Sequence, residues 1–188
     1  MAALRRSHGL LVPLGVLLAS VVVGCSPSDE IAAETEWVEF GVDGQFTAQF
    51  PEEPSPQSQD VSELENVVAI TIFAVQDGIR ELGISVTELA TAVPDDVANS
   101  LLPGAVDAFA VGVNGSVVDR GTVNGAPYPT MDATINGTKD GQAIVAMLRT
   151  TFVGTLQFNL VSLGLEDDRN EVEARFDRLI DGFEPEVA

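Results

Sequence analysis

The chain has 188 residues, with 29 acids against nine bases and a formal charge of −20 at pH 7. So acidic a surface argues against nucleic acid, whose phosphates need Lys and Arg, and against a basic grip on anionic lipid headgroups. The single cysteine excludes an internal disulfide, so the fold must rest on its hydrophobic core.

In chain order the first signal is a leader. Arg5 and Arg6 form a basic n-region ahead of an apolar run from Leu10 to Val23, which Pro13 interrupts. The run is shorter than the roughly 20 residues of a comfortable membrane span, and it predicts a signal peptide. Val22-Val23-Gly24-Cys25 resembles the bacterial lipobox, with Val22 in place of the usual Leu and Val23 in place of Ala or Ser. The resemblance implies that signal peptidase recognises Val22, Val23 and Gly24 and cuts before Cys25. The Cys25 sulfur would then carry a diacylglyceryl group of palmitate-type chains. An ordinary secretory cut here would leave a lone thiol, an oddity that lipidation removes. Two or three acyl chains, at about 0.8 kcal/mol per buried methylene, hold stably where one holds weakly. The expected location is the extracytoplasmic face of the cell membrane, held by this N-terminal lipid anchor.

The predicted organisation is a signal peptide over residues 1–24, an acidic flexible tether over 25–36, and one domain over 37–188. Cleavage would leave 164 residues with seven bases against 29 acids, a charge of −22. Between Cys25 and Ile79 there are 12 acids and no Lys or Arg. That stretch should be pushed from the bilayer and keep the domain clear of it. A solvated acidic surface explains the charge, and a cation or basic-partner site stays open beside that reading.

Structure is expected to begin at Trp37. Asp43-Gly44 separates Trp37–Phe40 from Gln45–Phe50 as a hairpin, with Phe46, Ala48 and Phe50 on one face. Pro51, Pro54 and Pro56 then end the strand, because proline cannot donate to a ladder. Val67–Val75 and Glu81–Glu88 read as a second hairpin across Asp77-Gly78. Pro94-Asp95-Asp96 opens a helical pattern whose apolar stripe is Val97, Leu101, Ala105, Ala108, Phe109 and Val113. Pro103-Gly104 interrupts it and predicts a kink or two short helices. Turns at Asn114-Gly115, Asn124-Gly125, Asn136-Gly137 and Asp140-Gly141 then delimit strands at 116–123, 128–135 and 142–152, with a fourth at 155–163. Glu166-Asp167-Asp168 begins a closing helix with Val172, Phe176, Leu179, Ile180 and Phe183 as its buried stripe. Strands, a helix, a four-strand meander and a last helix give an α+β class, an antiparallel sheet flanked by helices on both faces.

Trp37-x-x-Phe40, Asp43-Gly44-x-Phe46-x-x-x-Phe50-Pro51-x-x-Pro54 and, at the far end, Ala174-Arg175-Phe176 with Phe183 resemble the PsbP-like fold. That family includes small actinobacterial lipoproteins of the mycobacterial LpqN type. The resemblance spans about residues 37–184 and implies a fold and a place in the cell envelope. Its motifs are aromatic and proline positions, so it brings no catalytic residue.

The only histidine, His8, lies in the leader. A mature chain without histidine lacks Ser-His-Asp and Cys-His catalysis and most zinc sites. Lys139 could serve a Ser-Lys arrangement, but Asn136–Gly141 reads as a solvated loop. Asp95-Asp96 and Asp167-Asp168 sit where helices should start, and there carboxylates stabilise the exposed N–H ends. A glycosidase-like acid pair would need one carboxylate with a raised pKa in an apolar setting. Oxygen ligands for calcium abound, without EF-hand spacing. Ala105, Ala108 and Ala110 could pack the first helix close to the sheet or leave a groove for an acyl ligand. The reading assigns no catalytic residue, cofactor or metal. It expects a non-enzymatic accessory or binding protein whose partners are the membrane and an envelope protein or apolar ligand. A carrier of apolar ligands and a carboxylate hydrolase are the alternatives.

Overall fold

The computed structural model describes residues 36–186. The leader, Val22-Val23-Gly24-Cys25 and the tether as far as residue 35 lie outside the described residues.

The first hairpin forms as its sequence dictates. Strands β1 (Val38–Val42) and β2 (Phe46–Phe50) pair antiparallel, with Val42 opposite Phe46 and Val38 opposite Phe50. Gly44 turns the chain with φ +74°, a value that glycine adopts without strain. These strands join a short C-terminal strand to make a three-stranded sheet of their own. β2 ends at Phe50, ahead of Pro51, as expected, but Pro54 and Pro56 do not keep the following residues out of a strand. Ser55–Ser58 forms β3, a strand that proline had argued against; it lies at the edge of the larger sheet, where a missing N–H costs no ladder bond.

The larger sheet has seven strands. After β3 come β4 (Val67–Asp77) and β5 (Arg80–Leu89), paired across Gly78. Helix α1 (Asp95–Gly112) follows, then the meander β6 (Ser116–Thr122), β7 (Thr130–Lys139), β8 (Gln142–Val153) and β9 (Leu156–Leu165). The order is β3-β4-β5-β9-β8-β7-β6, so the two halves close where β5 meets β9, Ile84 opposite Leu160. A 3-10 turn at Glu166–Asp168 leads into α2 (Arg169–Asp181), and β10 (Glu184–Pro185) completes the small sheet beside β2. Every pairing is antiparallel. The fold is thus mixed, antiparallel sheets with two helices, and strands predominate.

Alternation along β8 divides the apolar side chains into two cores. Val145 and Met147 pack with Phe46, Phe158, Leu160 and, from α2, Val172, Phe176 and Leu179. Ile144, Ala146 and Leu148 pack with Leu102, Val106 and Phe109 of α1. A period of two in the strand therefore meets a period near 3.6 in each helix.

Two expectations for α1 need correction. The helix runs unbroken through Pro103-Gly104, because Leu102 and Val106, 1% and 0% exposed, hold the turns on both sides of the proline. Burying a leucine is worth about 1.5–3 kcal/mol, comparable to the roughly 3 kcal/mol cost of an internal proline. Its buried stripe is Ala98, Leu102, Val106, Phe109 and Ala110, whereas Val97 is 42% exposed. Of the predicted stripe, Phe109 and Val113 are buried and Leu101 packs against the same core, while the first half of the buried face falls one residue later, at Ala98 and Leu102.

Asn136-Gly137 is not a turn but the interior of β7. Glycine stands there because the backbone leaving α1 crosses over it: a Cβ on Gly137 would lie 2.6 Å from the Val113 carbonyl oxygen. The strand continues to Lys139 and turns at Asp140-Gly141, both with positive φ.

Candidate functional site

Strand β5 presents two unlike faces. Leu82, Ile84 and Val86 enter the first core, while Glu81, Gly83, Ser85 and Thr87 point to the other side. All of that second set is buried, so the polar members do not face solvent. Register sets Ser85 beside Asn159 and Thr87 beside Gln157, and Asn159 in turn lies opposite Thr150. A row of hydrogen-bonding side chains therefore crosses three strands within an otherwise apolar layer.

The row is only partly satisfied. The Gln157 amide donates to Thr150 Oγ1 and to Asn159 Oδ1, both at 3.4 Å. Ser85 Oγ and Thr87 Oγ1 find no partner in the protein. A buried hydroxyl without a hydrogen bond costs about 1–3 kcal/mol. At the end of the row the Glu81 side chain is 5% exposed, with Oε2 3.6 Å from Lys139 Nζ. Burial pushes the Glu81 carboxyl above its ordinary value, an effect that the positive charge of Lys139 opposes. Ile72, Glu81, Gly83, Ser85, Phe109, Asn159 and Val161 line a small, partly open pocket of about 20 Å³ whose surface is almost wholly apolar.

A second, open concavity of about 450 Å³ lies where the β1–β2 turn meets the β8–β9 turn. Asp43, Glu88 and Glu186 bring three carboxylates to it. Glu186 is partly engaged, for its Oε2 accepts from the Gly44 N–H at 2.7 Å.

The residues singled out in the sequence scatter. Lys139 is not in a solvated loop: it ends β7, its side chain 17% exposed against Glu81. Asp95 and Asp96 occupy the first turn of α1 without a side-chain capping bond, leaving the dipole as their contribution. Asp168 is instead held by Arg80, whose Nη2 donates to its Oδ2 at 3.0 Å and lies 3.2 Å from Glu171. Those contacts raise the Arg80 pKa. Ala110 is buried on α1, whereas Ala105 and Ala108 are half-buried. None of these groups lines the cavity. Cys25, Val22, Val23 and Gly24 fall outside the described residues. Among the described residues no helix is long and apolar enough to cross a membrane.

Glu81, Ser85 and Asn159 escaped the sequence reading because polar residues alternating with Leu82, Ile84 and Val86 imply a solvent-facing side. The available signal was the expectation of helices on both faces of the sheet. A sheet covered on two sides buries the polar face of any alternating central strand.

No family model matches the chain, and no curated protein does. Among solved structures it is similar to LpqN of Mycobacterium tuberculosis, a protein involved in cell envelope biogenesis. The identity is 8% and the TM-score 0.48, over 80% of this chain and 91% of that one. It is similar also to a protein of unknown function from Pseudomonas aeruginosa, at 9% identity and TM-score 0.41, over 77% and 93%. Likeness at this level assigns neither ligand nor activity.

Proposed function

We propose that this chain is a lipid-anchored, extracytoplasmic binding protein of the cell envelope that acts by contact and not by catalysis. In this reading Cys25 carries the acyl anchor, residues 25–36 are the tether, and the rest is a PsbP-like domain. The two cores become the two faces of the larger sheet, α1 covering one and α2 with the small sheet the other. The actinobacterial LpqN-type lipoproteins are the group whose motifs the chain resembles.

The surroundings of Glu81 carry the non-enzymatic part. A carboxylate hydrolase needs an acid of raised pKa beside a second carboxylate and a substrate-sized space. Glu81 has the raised pKa, but its neighbour is Lys139 and its cavity is about 20 Å³. Small-molecule sites usually measure about 300–1,000 Å³. The same volume is too small for an acyl chain, and the ligand-sized space, about 450 Å³, is instead the open concavity at Asp43, Glu88 and Glu186. Recognition then falls to the exposed acidic surface, which an anchored domain presents at high local concentration to other membrane components.

Cys25→Ala tests the anchor. Wild-type protein is expected in the host membrane fraction with acyl mass on its first mature residue, and the variant in the soluble fraction. A variant that stays with the membrane, together with a wild type bearing no acyl group, would refute the proposal. Native mass spectrometry of protein taken from its host separates the carrier reading: co-purifying lipid mass supports it, and ligand-free protein counts against it.

A further inference from the structure

We infer that Asn124, in the turn between β6 and β7, is a site of spontaneous deamidation, the one Asn-Gly pair of three that the fold leaves open to it. The reaction asks two things of the chain. The nitrogen of the residue after asparagine must lose its proton, and the asparagine side chain must swing onto that nitrogen. The nitrogen then bonds to Cγ, the Cγ–Nδ2 bond breaks, and ammonia leaves with the proton. Water opens the resulting succinimide ring at either carbonyl, leaving aspartate or isoaspartate. Glycine favours the step, because it has no side chain to obstruct the approach and turns freely about φ. The three pairs have nearly the same neighbours, Val-Asn-Gly at 113–115 and 123–125 and Ile-Asn-Gly at 135–137, so their local sequence does not rank them.

The fold does rank them. The Gly115 N–H donates to the Ala110 carbonyl oxygen at 2.8 Å where α1 ends, so losing that proton forfeits a hydrogen bond. Asn136 lies inside β7 with its amide tied at both ends: Nδ2 donates to Glu166 at 3.2 Å, and Oδ1 accepts from Arg169 at 3.0 Å. Its side chain cannot swing without giving up both bonds. Asn124 and Gly125 are exposed, beyond the ladder that ends with Thr122 opposite Met131. Among the described residues no backbone carbonyl accepts the Gly125 N–H. The turn is closed by the Ala126 N–H on the Val123 oxygen at 3.5 Å, a long and weak bond. A Cβ on Gly125 would meet nothing within 4 Å, so the pair has room to rearrange. Because the change falls outside the ladder, the sheet survives it, and the chain gains one negative charge.

The test is to incubate the folded full chain in mildly alkaline buffer and map its peptides by mass spectrometry. The peptide holding Asn124 should gain the mass of an amide-to-acid change, with release of ammonia and methylation by an isoaspartate methyltransferase. Asn124 should convert at least about tenfold faster than Asn114 or Asn136, the factor expected where a hydrogen bond must break first. In concentrated urea the three rates should converge, since the fold alone tells them apart. Asn124→Ser should remove the early mass gain and leave the fold intact. Isomerisation at Asp-Gly pairs changes no mass, so it is not mistaken for this reaction. Equal rates at the three pairs in the folded chain would overturn the proposal, as would an Asn124 that stays intact when folded yet converts in urea.

Discussion

Replacing Lys139 with methionine is expected to destabilise the domain by about 3–5 kcal/mol at pH 8, because it strands the buried Glu81 carboxylate. Methionine keeps most of the lysine stem and removes the charge, so lost packing contributes little. The loss should depend on pH, and the sign follows from linkage. The folded Glu81 pKa lies above its ordinary 4.5, so the native state binds the proton more tightly than the unfolded chain does. The resulting stability is fully present below pH 4.5 and is lost as pH rises through the folded value. Lys139 limits that loss by favouring the charged form, and removing it lets the folded pKa climb further. Urea titrations at pH 8 and pH 4.5 should therefore show a wide gap between variant and wild type at the first pH and a narrow one at the second. Adding Glu81→Gln to Lys139→Met should recover most of the stability at pH 8, since a neutral amide no longer needs a cation. A pH-independent loss, or none, would mean that the 3.6 Å pair carries no interaction energy.

How far the fold was legible depends on which residues speak locally. Asp43-Gly44 and Asp140-Gly141 fix turns through positive φ, and both hairpins fall where those pairs stand. Phe46, Ala48 and Phe50 alternate toward the core, and all three are buried. Val172, Phe176 and Leu179 likewise keep helical spacing and fill the first core. The failures share a cause in contacts between distant segments. Gly137 reads as a turn until the chain leaving α1 is seen to cross it. β10 has two residues and exists only because β2 offers an open edge. Pro103 looks like a break because its neighbours' burial is a property of the sheet below.

The candidate site was less legible for a related reason. Glu81 and Lys139 are 58 positions apart in sequence and lie on β5 and β7, with β9 and β8 between them in the sheet, so no spacing rule joins them. Each alone is an ordinary charged residue next to a turn: Glu81 follows Gly78-Ile79, and Lys139 precedes Asp140-Gly141. Only the closure of β5 on β9 brings the β4–β5 and β7–β8 turns to the same end of the sheet. The only histidine, His8, lies outside the described residues.

Phe46→Ala is expected to cost about 3–5 kcal/mol, the usual penalty for truncating a fully buried aromatic. That would be a large part of the roughly 5–15 kcal/mol that stabilises a typical domain. Phe46 belongs to the small sheet yet lies at 0% exposure, with its ring centroid 5.5 Å from Phe73 of β4 and 6.0 Å from both Phe158 of β9 and Phe183 after α2. With Phe40, whose ring centroid also lies 5.5 Å from Phe73, it joins the small sheet to the large one. A three-stranded sheet in which one strand has two residues has little stability alone, so it depends on docking. Two readouts follow. Chemical denaturation should report the full loss, and the single Trp37, which precedes β1 and stacks 4.6 Å under the Arg178 guanidinium of α2, should shift its emission to the red as β1 and β2 loosen. Hydrogen exchange should then speed up in β1, β2 and β10 before β5, β8 and β9. Val118→Ala, at a 59% exposed position on the outer strand β6, is the control and should change stability by under about 0.5 kcal/mol. A Phe46→Ala variant that lost less than about 1 kcal/mol, with Trp37 emission unmoved, would mean that the small sheet holds its place without the shared aromatic core.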